Sequence, residues 1–181
     1  TRPRGETPAQ DAARKEELRS DEKELAEHLM IVDLERNDLG KISEYGSVVV
    51  EELLSLHTFP TLHHLISRVR GRLRPAIDPF SAIAATFPGG SVTGAPKIRA
   101  MEIIAELEPH PRGVYTGSIG YIDLSGRVDL NIAIRTALWR QGRLHFQVGG
   151  AVVADSRPEA EYEETLIKGT AFFHLVNPHQ Q

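Results

Sequence analysis

Two pairs of glutamates, Glu24 with Glu27 and Glu161 with Glu164, are the residues in this chain best suited to holding a hard cation. At a spacing of i, i+3 on a helix, both carboxylates of a pair project from one face. Two such faces would offer up to four carboxylates to one Mg²⁺ ion. That ion takes oxygen ligands octahedrally, keeps several of its waters, and is commonly shared between protein carboxylates and an anionic substrate. Taken alone, the spacing favours the plainer account, a solvated acidic helix face.

Three other features could do chemistry. Phe87 to Lys97 brings three glycines, two hydroxyls and a lysine to a predicted helix start, which is a natural anion site. Its spacing is not that of a phosphate loop, because Lys97 follows a proline. Val148-Gly149-Gly150-Ala151 closes a predicted strand and leaves backbone N–H groups open to close approach. A structural turn accounts for either glycine stretch equally well. In the doublet His63-His64 the residues face opposite ways on a strand, so only one can point into a site. Arg135 interrupts an apolar strand, and an arginine buried there needs an anionic partner, either substrate or a structural ion pair.

These groups need elements to position them. Residues 1–8 read as an extended loop, followed by helical pattern from Ala9 to about Leu39. Ser20 is placed to cap a second helix, with Leu25, Leu29, Ile31 and Val32 as its apolar stripe and Gly40 as its stop. Ser47 to Leu56 and His63 to Leu73 read as strands. Asp78-Pro79 opens a short helix, and Pro96 starts another whose Ile98, Met101, Ile103, Ile104 and Leu107 supply a buried face. Three strand-like stretches follow, at about 114–123, 128–140 and 143–153, separated by turns short enough for an antiparallel meander. Pro158 begins a terminal helix running to about Val176. Strands grouped with strands and helices at the flanks predict an α+β fold.

The bulk numbers narrow the classes. A chain of 181 residues supports one sizeable core. The net charge of −4 gives no reason to expect a nucleic-acid partner, and Arg68 to Arg72 reads as a strand with one solvated face. No apolar run is long enough to span a bilayer, so no membrane partner is expected. The absence of cysteine excludes disulfides and thiolate metal sites and fits a cytoplasmic protein. The start at Thr1-Arg2-Pro3-Arg4-Gly5, with neither an initiator methionine nor a signal core, reads as a cut within a longer protein.

Taken together the sequence resembles the chorismate-utilising enzymes. The matching stretches are Glu27 to Leu34 with Arg36 to Gly40, His64-Leu65 with Ser67 and Val69, and Ser91 to Met101. They continue through Tyr115 to Tyr121, Asp129 to Arg135, Ala154-Asp155-Ser156 and Glu161 to Lys168, in one order nearly end to end. The resemblance implies part of an αββα chorismate-binding sandwich, with residues 1–181 as the C-terminal portion of a single chorismate-binding domain whose N-terminal half lies upstream. It implies Glu27 and Glu164 as direct Mg²⁺ ligands, with Glu24 and Glu161 acting mostly through bound water. His64 would stand beside the departing C4 hydroxyl of chorismate, and Ser91 keeps the hydroxyl of a threonine usual in relatives. Tyr115 and Arg135 would grip the enolpyruvyl carboxylate with backbone N–H groups around Gly149, and Lys168 would be a further carboxylate contact. One departure is Ala151, where relatives usually carry glycine. A position needing positive φ or close ligand approach would make alanine costly there.

Within the family, Phe87 to Thr93, Val114 to Ser118 and the histidine doublet favour the branch that aminates C4 to give 4-amino-4-deoxychorismate. Ammonia would come from a glutamine amidotransferase subunit. The alternatives are the anthranilate-forming branch, which aminates C2 and eliminates pyruvate, and a non-catalytic remnant that binds chorismate or only a partner. The residue that best separates the two branches, a lysine or an alanine, falls just before Thr1. The lysine is expected to attack the ring before ammonia displaces it. The 181 residues alone are therefore expected not to turn chorismate over, and their uncovered faces to favour self-association.

Overall fold

The computed structural model describes residues 1–154 and 156–176. It divides into two compact units, Thr1–Ala105 and Glu106–Gln181, each taken here by itself.

In the first unit, α1 (Pro8–Ser20) and α2 (Glu22–Ile42) accompany a three-stranded antiparallel sheet of order β1-β3-β2. The strands are β1 (Arg2–Pro3), β2 (Val49–Thr58) and β3 (Leu62–Arg70). A reciprocal cap starts α1. The Thr7 hydroxyl accepts from the Gln10 N–H, the Gln10 side chain accepts from the Thr7 N–H, and Pro8 occupies the first position. The cap of α2 is Asp21 rather than Ser20. The Ser20 hydroxyl donates back to the Glu16 carbonyl at 2.8 Å, while the Asp21 carboxylate accepts from the Glu24 N–H at 3.1 Å. Nor does Gly40 stop α2, which continues to Ile42. Ser43 ends it by bridging to Leu73, and the Glu44 and Arg74 N–H groups donate to the Arg72 and Ile42 carbonyls. Tertiary pairing, not glycine, breaks the helix. α3 (Pro79–Thr86) is capped by Asp78 as expected, a 3₁₀ turn covers Gly90–Val92, and α4 spans Lys97–Leu107.

The second unit is less regular than the sequence suggests. Its expected long strands shrink to two hairpins, β4 (Gly120–Ile122) with β5 (Val128–Leu130) and β6 (Ala137–Arg140) with β7 (Arg143–Phe146). Thr116 and Arg135 both take positive φ, at 62° and 49°, and such left-handed residues interrupt a ladder. The β6–β7 turn has positive φ at Gln141 and Gly142, matching the right-handed strand twist. α5 (Pro158–Val176) completes the chain, and Phe146 stacks on Phe172 at 4.6 Å. Helices with antiparallel sheets confirm the α+β class.

The first core holds Leu18, Val32, Ile42 and Leu65, and the second Ala133 and Phe172. The expected buried face of α4 is not seen, since Ile98, Met101, Ile103 and Leu107 are exposed.

One buried polar cluster fastens the first unit. The Asp11 carboxylate accepts from Arg4 at 2.6 Å, the Gly5 N–H at 3.1 Å, His63 at 2.9 Å and Lys15 at 3.1 Å. Gly5 permits this approach, because a Cβ there would stand 2.2 Å from the Asp11 nitrogen. The Arg4 guanidinium, then the Gly5 N–H, His63 and Lys15, hold the Asp11 carboxyl well below the usual carboxylate range against the opposing effect of burial. A depressed folded-state pKa stabilises the fold above the unfolded carboxylate range, and that stability is lost as pH falls below it. Asp11→Asn is therefore expected to lower the thermal midpoint at neutral pH and to flatten its pH dependence below about pH 4. Melting curves of the two proteins from pH 2 to pH 7 check this, and coincident midpoints at neutral pH would refute it.

Candidate active site

Alternation along β3 sorts the histidine doublet. His63 shares the inner face with Leu65 and is fully buried between Asp11 and Thr58, whose hydroxyl lies 3.0 Å from His63 Nδ1. His64 faces the other way and is exposed, with its Nδ1 2.6 Å from the Thr1 hydroxyl. The neighbouring Glu24 carboxylate accepts from Arg2 at 2.5 Å and from the Thr1 amino group at 3.1 Å. Burial works to raise the Glu24 carboxyl pKa, and the hydrogen bond from the Arg2 guanidinium works to lower it. Glu27, one turn on, is half-buried, with Lys23 at 3.7 Å. Ser91 lies exposed in the 3₁₀ turn.

The glycine-rich stretch before α4 is tied to α2. The Gly90 N–H donates to Glu35 at 2.9 Å, and a Cβ at Gly90 would meet Leu34 at 2.8 Å. Lys97 pairs with Asp38, which is fully buried, and donates to the Pro88 carbonyl at 2.6 Å. The lysine expected at an anion site is thus spent on a buried carboxylate. This fastening sets where Ser91 sits.

In the second unit, Tyr115, Gly149, Glu161, Glu164 and Lys168 gather around one stretch of open backbone. A Cβ at Gly149 would stand 3.0 Å from the Tyr115 hydroxyl, so the phenol lies directly against that backbone. A Cβ at Gly150 would lie 3.5 Å from Glu161 Oε2 and 4.0 Å from Glu164 Oε1. Glu161 also accepts from the Ser156 hydroxyl at 2.6 Å, and Lys168 pairs with Glu164 at 2.5 Å. Arg135 is exposed rather than buried. The Ala133 N–H donates to the Gly117 carbonyl, the Thr116 N–H to the Ala133 carbonyl, and Gly120 pairs with Leu130. Ala151 is exposed and its φ is not positive, so no backbone strain attaches to its Cβ. Asp155 lies outside the described residues.

The donor chemistry fits a hard cation: each unit presents two carboxylates on one helix face, and those of α5 both turn toward Gly150. Within either unit, among the described residues, no group of three or more His, Asp or Glu side chains is placed to hold a metal by itself. Sequence reasoning gave no role to Thr1, to Ser156, or to Arg112, whose guanidinium lies 5.9 Å from the Tyr115 ring centroid. None stands in a motif whose spacing announces a role; only the pairing of Thr1 with β3 could have been anticipated.

The chain is thus α+β, with paired helical carboxylates and a tyrosine set against a glycine pair. The profile of the chorismate binding enzymes matches residues 1–174, and the chain belongs to that family. It is 53% identical over 177 residues to aminodeoxychorismate synthase from Streptomyces griseus, covering 98% of this chain and 24% of that protein. It is 52% identical over 176 residues to anthranilate synthase component 1 from Streptomyces coelicolor, covering 97% of this chain and 34% of that protein. Anthranilate synthase component I from Streptococcus pneumoniae superposes with a TM-score of 0.82 at 48% identity, covering 90% of this chain and 38% of that one. The chain thus spans about a quarter to a third of the length of the curated relatives it matches.

The Lys97–Asp38 pair yields a prediction. Without Lys97 the buried Asp38 carboxylate keeps Lys41 at 2.7 Å as a cation, so the loss is that of a charge-assisted hydrogen bond, about 1.5–3 kcal/mol. Lys97→Met is expected to lower the thermal midpoint by roughly 3–12 °C. Calorimetry of the variant checks this, and an unchanged midpoint would release Lys97 for a role with ligand.

Proposed function

We propose that the chain is part of an enzyme that aminates chorismate at C4, giving 4-amino-4-deoxychorismate and water. The observation that supports it most is the gathering of Tyr115, Gly149, Glu161, Glu164 and Lys168 in one unit. The family resemblance had assigned each of these to substrate or metal.

In this reading Glu27 and Glu164 hold Mg²⁺ directly, and Glu24 and Glu161 hold its waters. Bound Mg²⁺ would supply Lewis-acid polarisation and a template for the ring carboxylate. His64 directs an N–H at the hydroxyl leaving C4. Ser91 adds a hydroxyl hydrogen bond. Tyr115 and Arg135 bind the enolpyruvyl carboxylate, assisted by backbone N–H groups at Gly149, and Lys168 balances a further carboxylate. Ammonia reaches the site from a glutamine amidotransferase partner, and the protein works in the cytoplasm. Among the described residues no helix is long and apolar enough to cross a membrane.

A second reading has support of its own: the anthranilate-forming relatives match almost as closely, at 52% identity against 53%. Product identity separates the two. The intact protein, given chorismate, Mg²⁺ and ammonia, is expected to release 4-amino-4-deoxychorismate and no fluorescent aromatic amine unless a separate lyase is added. Fluorescent product without the lyase would transfer the assignment to C2 amination. Glu164→Gln is expected to lower turnover at least about 100-fold, the scale of a lost electrostatic contact to the reacting centre. The exposed apolar residues of α4 also lead us to propose that residues 1–181 alone self-associate. Light scattering showing a monomer would count against that.

A further inference from the structure

β1 and β3 pair antiparallel, with Arg2 opposite His63 and Pro3 opposite Leu62. The same register sets Thr1 opposite His64, and the Thr1 hydroxyl lies 2.6 Å from His64 Nδ1. Arg2 fixes that register, because its guanidinium donates to Glu17 at 2.8 Å, Asp21 at 2.7 Å and Glu24 at 2.5 Å. Arg4 adds a backbone bond from its N–H to the Thr61 carbonyl. The short strand is therefore anchored on both sides of Pro3, and Thr1 is held against the imidazole by the sheet itself.

A neutral imidazole carries its proton on one nitrogen only, and the partner of the other decides which. We propose that Thr1 is a positioning residue that donates its hydroxyl proton to Nδ1 of His64, so that Nε2 carries the N–H presented to the substrate. This rests on the reading of His64 above and adds to it the group that chooses its tautomer and fixes its ring plane. A substrate held by its carboxylates would leave little freedom for the departing oxygen. A ring rotated about its Cβ–Cγ bond would carry the N–H out of line with it.

The test uses the intact enzyme. At a pH where the imidazole is neutral, nitrogen-15 shifts of His64 should report the proton on Nε2, and a wild-type ring protonated on Nδ1 overturns the proposal. Thr1→Val should lower kcat about 10- to 100-fold while KM moves less than about threefold, whereas Thr1→Ser, which keeps the hydroxyl, should stay within about threefold of wild type. An unchanged kcat in Thr1→Val, or an equal loss in Thr1→Ser, overturns it as well. His64→Gln separates the two levels. If that variant retains full turnover, the role of His64 itself fails. If it loses turnover while Thr1→Val does not, only the role of Thr1 fails.

Discussion

The alternation of β3, locked by the hydrogen bond between buried His63 and Asp11, is the constraint on which the first unit depends. A strand that slipped by one residue would turn His63 outward and bury His64. Asp11 prevents this by offering a carboxylate only to the inner face, inside a shell of Arg4, Lys15 and the Gly5 N–H. One buried ionic cluster therefore settles which histidine is available for chemistry. It also joins α1 and the turn before it to β3, with Asp11 and His63 lying 52 residues apart in the chain.

The second unit achieves its arrangement by different means. Its sheets are short, and two residues with positive φ, Thr116 and Arg135, bend the backbone on either side of Ala133. Regular strands would place alternate side chains on opposite faces and nothing more. The bends instead leave Tyr115 against Gly149, while Ser156 draws the loop before α5 onto Glu161. Irregularity here positions side chains that a ladder alone could not bring together.

Much of this was legible in the sequence. The cap of α3, the bounds of α5 and the solvated arginine face of β3 follow from local chemistry or side-chain period, whereas the choice of His64 over His63 rests on the family resemblance alone. What escaped did so for tertiary reasons. Gly40 was read as a stop because glycine usually ends helices, yet the bridge between Ser43 and Leu73 decides where α2 ends. Lys97 was read as an anion ligand because nothing local reveals that Asp38 lies buried beneath it. Arg135 was read as buried because its apolar neighbours suggested a regular strand. The family resemblance assigned roles that geometry within each unit can be compared with, but it gave none to Thr1 or Ser156.

α2 has a mechanical consequence. Its 21 residues make a rod about 30 Å long. Glu24 and Glu27 ride near its first turns, whereas near its far end Glu35 holds the Gly90–Val92 turn and Asp38 holds Lys97 at the start of α4. Acidic face and serine-bearing turn are therefore mounted on one stiff beam, and neither can be displaced without dragging the other. Evolution of this segment would be expected to adjust the two in concert, through the tilt of a single rod rather than through separate loops.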